Sequence, residues 1–453
     1  MRRYIVLFLQ SLLLVGLASC SGGGGEDEAD HPPAITNLRY SPAATQSTGC
    51  KTSIAVLADF ADAGADVASA RLTSTSGDDV SAPVTGLNGT ASGTVSAPFA
   101  VSTDKAGKYS FDVWLVDGRG SVSNHLSGTY EILPPGPANA WITLRELRGP
   151  PLQDIAWRAG QYVAVGRLGV VMTSPDLCVW TQQYSGMGYD LNGVAMSASR
   201  IVAVGSDLWS GQAGVISSDD GATWSIRYQS SDCEGAACGS RTRLSRVIWT
   251  GEQFVAVGME RPVNSAMFYV LVLTSPDGIT WTKRAPLAMP ISDEWTDWGP
   301  SWVRSVAWSG NLFVVPTIDA NWDPVVWTSP DAVTWTLSRD ITTDAVWGMP
   351  FADVTWGNGR FVALDGPGAN GDSPVFTSAD GLRWLPDTTI TNLPTMNAIT
   401  SKPGEFVAVG ATDVQTSQDG LNWTVSPLSG CGNGVLWDGT RYVAVGTSIC
   451  KSQ

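Results

Sequence analysis

One motif recurs through most of the chain and limits the folds that the chain can adopt. Each copy consists of an apolar triplet, a tight turn and a strand of the type Phe-Val-Ala-Val-Gly. The seven copies are IAWRAGQYVAVG, VAMSASRIVAVG, VIWTGEQFVAVG, VAWSGNLFVVPT, VTWGNGRFVALD, AITSKPGEFVAVG and VLWDGTRYVAVG. Self-similarity at a period of a few tens of residues predicts a repeat architecture, in which each copy belongs to one supersecondary unit.

A second motif follows six of the seven copies. It reads TSPDLCVW, SSDDGATW, TSPDGITW, TSPDAVTW, TSADGLRW or TSQDGLNW. Each version contains a strand end, a turn centred on an aspartate and a tryptophan that begins the next strand. Four short strands repeated seven times predict a β-propeller, because no single unit can bury its own faces.

The repeated aspartates and tryptophans have structural interpretations. An aspartate in such a turn accepts hydrogen bonds from backbone amides of the turn. We therefore interpret these residues as turn formers: Asp176, Asp220, Asp277, Asp331, Asp380 and Asp419. An aromatic residue repeated at a fixed position is typical of packing between units. The tryptophans expected to fill the space between blades are Trp180, Trp224, Trp281, Trp335, Trp384 and Trp423.

The last copy, YVAVGTSICKSQ, lacks the second motif and hence its fourth strand. The segment NAWITLRE (139–146), which precedes the first copy, resembles the fourth strands that begin at Trp335 and Trp423. A ring of sheets has no open edge only if its last blade is completed. We therefore expect residues 140–147, with Trp141, to form the outer strand of blade seven and to close a propeller over residues 140–453.

A separate β domain is predicted over residues 34–133. Apolar and polar residues alternate there in SIAVLADF, YSFDVWLVD and GTYEI, between turn-forming clusters, which predicts a sandwich. The stretch AGKYSFDVWLVDGRGSVSN resembles the closing hairpin of bacterial immunoglobulin-like or PKD-like modules, which implies a spacer. Residues 134–139 are predicted to be a stiff linker. The fold class is therefore all-β, a sandwich followed by a seven-bladed propeller.

The N-terminus, MRRYIVLFLQSLLLVGLASC, has the basic, apolar and small-residue regions of a secretory signal. Its last four residues, ending at Cys20, resemble a bacterial lipobox. This resemblance implies lipidation of Cys20, removal of residues 1–20 and a flexible acidic tether over 21–33. Ser21, directly after the cysteine, resembles the signal that sorts lipoproteins to the outer membrane of a Gram-negative cell. Both the periplasmic and the outer face of that membrane are left open as locations. A soluble secreted protein cleaved nearby is the alternative.

The composition argues against several functions. A formal net charge of −15 argues against nucleic acid as a partner, because phosphate binding needs a basic patch. No glycine-rich phosphate loop opens a helix, so nucleotide binding has no support. The two histidines, His31 and His125, precede the repeats, which argues against histidine-based catalysis and histidine-ligated metal in the propeller. We expect no metal and no cofactor.

Six cysteines besides Cys20 allow 15 disulfide pairings. Cys233 and Cys238 lie close together in DCEGAAC and are expected to close one loop. Cys431 with Cys450 is the next expected pair. Cys50 and Cys178 are then expected to remain as free, buried thiols.

The aspartate turns resemble the Asp-box, Ser/Thr-x-Asp-x-Gly-x-Thr-Trp, of sialidases and related propellers. Residues 217–224, SSDDGATW, match this box throughout, while most other copies replace its first aspartate. The box is structural and occurs in binding proteins and glycosidases alike. Sialidase activity implies an arginine cluster, a tyrosine–glutamate pair and an acidic aspartate, and the family's Arg-Ile-Pro signature is absent. Four arginines do crowd blades two and three: Arg241, Arg243, Arg246 and Arg261.

Long loops depart from the repeat on the propeller face opposite the Asp-boxes. They are rich in tryptophan next to carboxylates, a composition suited to stacking on sugar rings and to cation binding. The candidate ligand-binding residues are Trp209, Asp293, Glu294, Trp295, Asp297, Trp298, Trp302, Asp319, Trp322, Asp323 and Trp347. The alternative is that these loops pack on one another and plug the central channel.

The sequence therefore predicts a lipid-anchored, non-catalytic protein of the cell envelope that binds a carbohydrate or a protein partner through this face. A glycoside hydrolase is one alternative, because Asp293, Glu294, Asp297, Asp319 or Asp323 could supply a pair of carboxylates. An assembly scaffold for other envelope proteins is the second alternative.

Overall fold

The computed structural model describes residues 31–84, 87, 89–136, 140–207, 211–230, 241–262, 265, 267–289, 302–319, 323–341, 351–364, 375–386 and 394–453. The chain divides into two compact units. The first contains Thr52–Val101, Lys108–Glu131 and the chain up to Thr45, and the second contains Gln46–Lys51, Ser102–Gly107 and Ile132–Gln453. Within the described ranges, no helix is both long and apolar enough to cross a membrane.

The N-terminal strands show the alternation that a half-buried strand requires. In Lys51–Ala61, for example, Ile54, Val56, Ala58 and Phe60 are buried in turn. The strands are Ala34–Ser41 (β1), Ala44–Gln46 (β2), Lys51–Ala61 (β3), Val67–Ser74 (β4), Asp79–Pro83 (β5), Ser92–Ser102 (β6), Gly107–Asp117 (β7) and Leu126–Leu133 (β8). They form two sheets, with strand orders β1-β3-β6 and β2-β8-β7-β4-β5.

The repeats form a series of antiparallel sheets, numbered I to VII in chain order. The first three are Leu152–Arg158 (β10), Gln161–Gly166 (β11), Val170–Ser174 (β12) and Thr181–Tyr184 (β13) in sheet I; Asp190–Met196 (β14), Ile201–Ser206 (β15), Ala213–Ser218 (β16) and Ser225–Gln229 (β17) in sheet II; Arg241–Trp249 (β18), Phe254–Arg261 (β19), Phe268–Ser275 (β20), Thr282–Lys283 (β21) and Leu287–Met289 (β22) in sheet III. A short 3-10 helix, Arg167–Gly169, joins β11 to β12.

The remaining sheets repeat the same strand order. They are Ala307–Trp308 (β23), Phe313–Ile318 (β24), Pro324–Ser329 (β25) and Thr336–Ser338 (β26) in sheet IV; Asp353–Gly357 (β27), Arg360–Leu364 (β28), Val375–Ser378 (β29) and Leu385–Pro386 (β30) in sheet V; Met396–Lys402 (β31), Glu405–Gly410 (β32), Asp413–Ser417 (β33) and Thr424–Pro427 (β34) in sheet VI; Gly434–Trp437 (β35), Tyr442–Val445 (β36), Ser448–Ser452 (β37) and Trp141–Glu146 (β9) in sheet VII.

The strand that carries the Phe-Val-Ala-Val-Gly motif is buried on both faces. In β19, for instance, every residue from Phe254 to Glu260 is buried. The reason is that apolar clusters fill the space between consecutive sheets, and this strand contributes to two of them. One such cluster joins Val204 and Val215 of sheet II to Leu244 and Leu273 of sheet III, with Trp281 packed against it. Another joins sheet I to sheet VII.

Sheet VII is completed by a strand from before the first repeat, the pairing expected from the sequence. β9 pairs antiparallel with β37, with Trp141 opposite Ser452 and Glu146 opposite Ser448. The first strands of neighbouring sheets also contact one another, including β10 with β35. The second unit therefore has a β-propeller fold, in which the first strand of each sheet faces the central channel.

Two disulfides lie within the second unit. Cys431 is joined to Cys450, and Cys50 is joined to Cys178. The expectation that Cys50 and Cys178 are free thiols is wrong. Their Cα atoms lie 5.3 Å apart although 128 positions separate them in the sequence, a proximity that no local spacing reveals. Cys233 and Cys238 lie outside the described residues.

A candidate ligand site at the channel mouth

A cavity of about 480 Å³ opens where the first strands of the sheets begin. Polar side chains dominate its lining, and the seven repeats all contribute to it. The lining residues are Gln153, Arg167, Asp190, Asn192, Ser206, Arg243, Ser245, Arg246, Arg304, Ala352, Asp353, Asn397 and Asn433. A cavity of this size and position, on the axis of the propeller, is a default candidate for a binding site.

β-Bulges in the first strands place several of these side chains at the cavity. In four sheets, the register between the first and second strands shifts at the same position. The extra residues are Gln153, Asn192, Ser245 and Asn397, and all four line the cavity. A bulge re-aims one side chain relative to a regular strand. The repeated irregularity is therefore what supplies the polar rim of the channel.

The bulge brings the first strand close to the glycine that ends the Phe-Val-Ala-Val-Gly strand, which leaves no room for a side chain there. At Gly258, at the end of the Phe-Val-Ala-Val-Gly strand of sheet III, an added Cβ would overlap the carbonyl oxygen of Arg243 on the adjacent strand. Gly205 meets the carbonyl oxygen of Asp190 in the same way. The sequence Phe-Val-Val-Pro-Thr of sheet IV has Thr317 instead, and its partner β23 comprises only Ala307–Trp308. The glycine thus marks the sheets whose first strand crosses closely over the second.

Beside this rim, an ion triad crosses the channel. Arg246 Nη1 lies 3.3 Å from Asp154 Oδ1, and Arg246 Nη2 lies 3.9 Å from Asp353 Oδ2. Burial raises the pKa of Asp154 against the opposing effect of the Arg246 charge. Burial alone would lower the pKa of Arg246, but the charges of Asp154 and Asp353 outweigh it and raise that pKa. The triad joins sheets I, III and V through the centre of the molecule.

Both aspartates of the triad also accept hydrogen bonds from backbone amides of neighbouring sheets. Asp154 Oδ2 accepts a hydrogen bond from the amide of Val194, at 3.0 Å. Asp353 Oδ2 accepts one from the amide of Ile399, at 2.9 Å, and its Oδ1 accepts one from the hydroxyl of Ser305. Because both carboxylates are buried and bonded in this way, they tie neighbouring sheets together and offer little to a ligand.

Three asparagines of the rim also connect neighbouring sheets, through hydrogen bonds donated by their side-chain amides. Asn192 Nδ2 donates to the carbonyl oxygen of Leu244 at 2.9 Å, and Asn433 Nδ2 donates to that of Leu152 at 2.8 Å. Asn397 Nδ2 donates to the carbonyl oxygen of Gly432, also at 2.8 Å. Each bond runs from one sheet to the next in order, and the Asn433 bond runs from sheet VII back to sheet I. These bonds fix the rim in one conformation.

The charge of the cavity is opposite to that of the whole chain. Arg167, Arg243 and Arg304 line it together with Arg246, whereas its aspartates are Asp190 and Asp353. Asp190 Oδ1 already accepts the amide of Leu168 at 3.0 Å. Burial lowers the pKa of Arg304, so a nearby anion would stabilise its charged form. In a chain with a formal net charge of −15, this concentration of guanidinium groups favours an anionic ligand.

The aspartate turns lie at the other end of the sheets. Each joins the third strand to the fourth, and strands alternate in direction, so these turns are opposite the beginnings of the first strands. Asp220 Oδ1 accepts the amides of Ala222 and Thr223, both at 2.8 Å. The Thr223 amide, and next that of Ala222, lower the pKa of Asp220 to about 2. The same pair of bonds recurs at Asp176, Asp277, Asp331, Asp380 and Asp419.

The tryptophans of these turns pack between sheets. Trp384 is fully buried, and Trp180 is 6% exposed. The indole Nε1 donates to the carbonyl oxygen three residues earlier in four cases: Trp180, Trp224, Trp384 and Trp423. Each tryptophan of the set packs within or against one inter-sheet cluster. The turns therefore fasten the sheets, and Oδ1 of each repeated aspartate is engaged by amides of its own turn.

Two of the sequence-predicted ligand residues have structural roles instead. Trp302 is 2% exposed and packs edge-on against Phe268 with the ring centroids 4.9 Å apart, which at this residue favours the alternative that the loops pack on the propeller. Asp319 is buried and paired with Arg339, so its carboxylate has a structural partner. Asp323 is exposed, and its carbonyl oxygen accepts the amide of Asp319 at 2.8 Å.

The other predicted ligand residues cannot be placed. Trp209, Asp293, Glu294, Trp295, Asp297, Trp298, Trp322 and Trp347 lie outside the described residues. The cavity itself was missed by the sequence reasoning, although a signal was present. In six repeats, the residue before the apolar triplet varies between charged, polar and small side chains: Asp154, Gly193, Arg246, Ser305, Asp353 and Gly434. Ala398 takes the equivalent place in sheet VI. Arg246 and Asp353 of this set line the cavity.

Among solved structures, the chain is similar to several proteins at low sequence identity. The computationally designed Ika8 protein is 11% identical, with 75% of this chain and 92% of that chain covered and a TM-score of 0.41. A quinonprotein alcohol dehydrogenase-like protein of Bacteroides thetaiotaomicron is 8% identical, with 93% and 98% covered and a TM-score of 0.43. A gluconolactonase of Xanthomonas campestris is 15% identical, with 64% and 89% covered and a TM-score of 0.38.

No protein-family model matches the chain. No curated protein matches it either. Function is therefore inferred from the residues of this chain.

Proposed function

We propose that this chain is a non-catalytic binding protein of the cell envelope, and that it holds an acidic carbohydrate at the channel mouth. One observation carries the proposal: in an acidic chain, Arg167, Arg243, Arg246 and Arg304 converge on one cavity of about 480 Å³. Guanidinium groups recognise carboxylates through paired, charge-assisted hydrogen bonds. The amides and hydroxyls of the same rim suit the hydroxyl groups of a sugar.

The rest of the chain is proposed to support this site. Sheets I to VII would be the seven blades of one closed ring of the Asp-box type, with Trp141 at the point of closure. The N-terminal unit would be an immunoglobulin-like or PKD-like spacer. Lipidation of Cys20 would anchor the chain, in the outer membrane if the cell is Gram-negative. The tryptophan-rich loops would extend the site around the rim.

A binding role is favoured over hydrolysis by the state of the central carboxylates. A glycosidase needs two carboxyl groups that reach the scissile bond. Asp154 and Asp353 are each at most 3% exposed and are bonded to Arg246 and to backbone amides. Asp190 is bonded to the amide of Leu168. The channel-mouth carboxylates of the described residues thus serve structure together with Arg246, whereas Arg167, Arg243 and Arg304 also line the cavity.

Binding of the purified protein to an array of bacterial and host glycans tests the proposal. We expect acidic glycans to be bound and neutral ones to be ignored. The variant Arg304→Gln removes one charge from the cavity and should weaken binding roughly 10-fold or more, because a charge-assisted hydrogen bond contributes about 1.5 to 3 kcal/mol. Arg383→Gln is the matched control, since Arg383 is exposed in an aspartate turn at the opposite end of sheet V.

Each outcome on the array discriminates between functions. Binding of acidic glycans without cleavage supports the proposal, whereas cleavage of the bound glycan would replace it with a glycoside hydrolase. A blank array would contradict it and favour a protein partner or an assembly scaffold. Equal binding by wild type and Arg304→Gln would place the ligand away from the channel mouth.

A further inference from the structure

A second cavity, of about 350 Å³, lies at the opposite end of sheet VII. It is bounded by the turn between β35 and β36, by the end of β37 and by the segment Gln46–Lys51, all within the second unit. Arg441, Lys451 and Gln453 line it, together with Thr48 and Asp104. In the other sheets this end carries an aspartate turn, which sheet VII lacks because its fourth strand is β9.

Lys451 is unusual for a lysine because it is only 8% exposed. Its ammonium group has three hydrogen atoms to donate. Among the described residues, Nζ donates one hydrogen bond, to the carbonyl oxygen of Thr48 at 2.6 Å, and forms no ion pair within 4.0 Å. Burial, and next the charge of Arg441, lower the pKa of Lys451. A buried cation with this set of partners is costly unless an anion joins it.

The Gln453 side chain lacks partners at the same place. Its Nε2 and Oε1 atoms are both buried and have no hydrogen-bond partner among the described residues. A buried amide without partners costs free energy, and a bound molecule can remove that cost. An oxyanion in the cavity would accept from the Lys451 ammonium group, and a turn of the Gln453 side chain toward the cavity would let Nε2 donate to the same anion.

The carboxylates near Lys451 already interact with other groups. Asp438 Oδ1 accepts the amides of Thr440 and Arg441, and Asp438 Oδ2 accepts the hydroxyl of Tyr162 at 2.6 Å. Arg441 Nε lies 3.6 Å from Asp438 Oδ2. Asp104, at the exposed edge of the cavity, accepts the hydroxyl of Ser102 at 2.8 Å. Burial and the charge of Arg441 lower the pKa of Lys451 more than the charge of Asp438 raises it, so an anion in the cavity would stabilise the ammonium group further.

We propose that this cavity is a second binding site, independent of the channel mouth, which takes a small oxyanion such as a phosphate or a hydroxylated carboxylate. Lys451 contacts the anion, the Gln453 side chain turns to donate its amide to it, and Arg441 adds charge at its edge. The proposal does not depend on the function assigned to the channel mouth.

Titration of the full chain with inorganic phosphate and, separately, with glucuronate tests this site, with binding followed by calorimetry. Sodium chloride at matched ionic strength controls for screening, and glucose controls for the sugar ring. We expect at least one oxyanion to bind the wild-type protein. Lys451→Met, which keeps the length of the side chain and removes its charge, should weaken that binding at least tenfold, and Arg441→Gln should weaken it less.

Arg304→Gln separates the two sites. It should leave oxyanion binding at Lys451 unchanged, even if glycan binding at the channel mouth is lost. If Lys451→Met does not fold, Arg441→Gln and the wild-type comparison with chloride still decide the matter. The proposal is overturned if neither oxyanion binds the wild-type protein, or if the Lys451 and Arg441 variants bind as tightly as wild type. Which oxyanion binds identifies the ligand class.

Discussion

Arg246 Nη1 lies 3.3 Å from Asp154 Oδ1, which joins the first strands of sheets III and I across the channel. Asp353 of sheet V completes the triad at 3.9 Å. The sequence places these residues roughly one hundred positions apart, at equivalent points of alternate repeats. The equivalent position of each sheet faces the axis of the channel. Because the residue at this position differs between repeats, charged residues from separate sheets can form ion pairs there.

The triad predicts a large destabilisation when its cation is removed. Arg246→Met would leave Asp154 and Asp353 buried without their partner, a change that costs about 3 to 5 kcal/mol in the free energy of unfolding. Urea unfolding followed by tryptophan fluorescence measures the loss. Arg383→Met is the control, because Arg383 is exposed and distant. Equal stability of the Arg246→Met and Arg383→Met variants would show that the triad contributes nothing.

The motif glycine predicts a second large effect. Gly258→Ala introduces a Cβ that overlaps the carbonyl oxygen of Arg243, so the bulged first strand must move. We expect a loss of about 3 kcal/mol, the upper range for overpacking of a core. Gly149→Ala is the matched control, since a Cβ there meets no atom within 4 Å. Thermal unfolding compares the two variants, and a wild-type melting temperature for Gly258→Ala would refute the explanation of the motif.

The aspartate turns predict a pH dependence. The pKa of Asp220 is lowered from 3.8 to about 2 in the folded chain. Its carboxylate therefore stabilises the folded state above about pH 4, and that contribution disappears as the pH falls toward 2. Asp220→Asn should lower the free energy of unfolding by about 1 kcal/mol at pH 7.

Urea titrations of both proteins between pH 6 and pH 2 measure this dependence. The difference between Asp220→Asn and wild type should shrink as the pH falls. A difference that stays constant across the series would show that the charge of Asp220 is not what the turn uses. Asp277→Asn in sheet III repeats the test, because the same bonds lower the pKa of Asp277.

The two disulfides are expected to stabilise the folded chain by different amounts. The Cys50–Cys178 pair closes a loop with a sequence separation of 128, and the Cys431–Cys450 pair closes one of 19. In the chain-entropy account, removal of the longer link costs about 4 to 5 kcal/mol and removal of the shorter about 3. The double serine variants of each pair, compared by urea unfolding, test this order. Peptide mapping without reductant checks whether both disulfides form. A free thiol at Cys178 would contradict the Cys50–Cys178 disulfide.

The repeat was readable from the sequence because its signals are local. The apolar triplets, the aspartate turns and the position of Trp141 follow from patterns of a few residues. What the sequence did not reveal depends on distances between repeats. The Cys50–Cys178 link joins residues that no pattern relates, and the bulges at Asn192 and Ser245 follow from backbone register.

The candidate site in the long loops stays a prediction, and the channel mouth is a second candidate that the sequence did not single out. Tryptophans in long loops have the composition of a sugar-binding face, yet composition does not separate an exposed ring from a buried one. Trp302 is a core residue, whereas Arg243 and Arg246 line the cavity. Arg243 and Arg246 are close together in the sequence, whereas Arg167 and Arg304 come from other repeats, so sequence spacing does not indicate that the four side chains share one cavity.

A crystal structure of the protein with an acidic oligosaccharide bound, chosen from the glycans that the array identifies, would locate the ligand. We expect density for the sugar in the channel mouth, with a carboxylate within hydrogen-bond distance of Arg304 or Arg243. Density elsewhere, such as on the aspartate turns or the N-terminal unit, with an empty channel mouth, would contradict it.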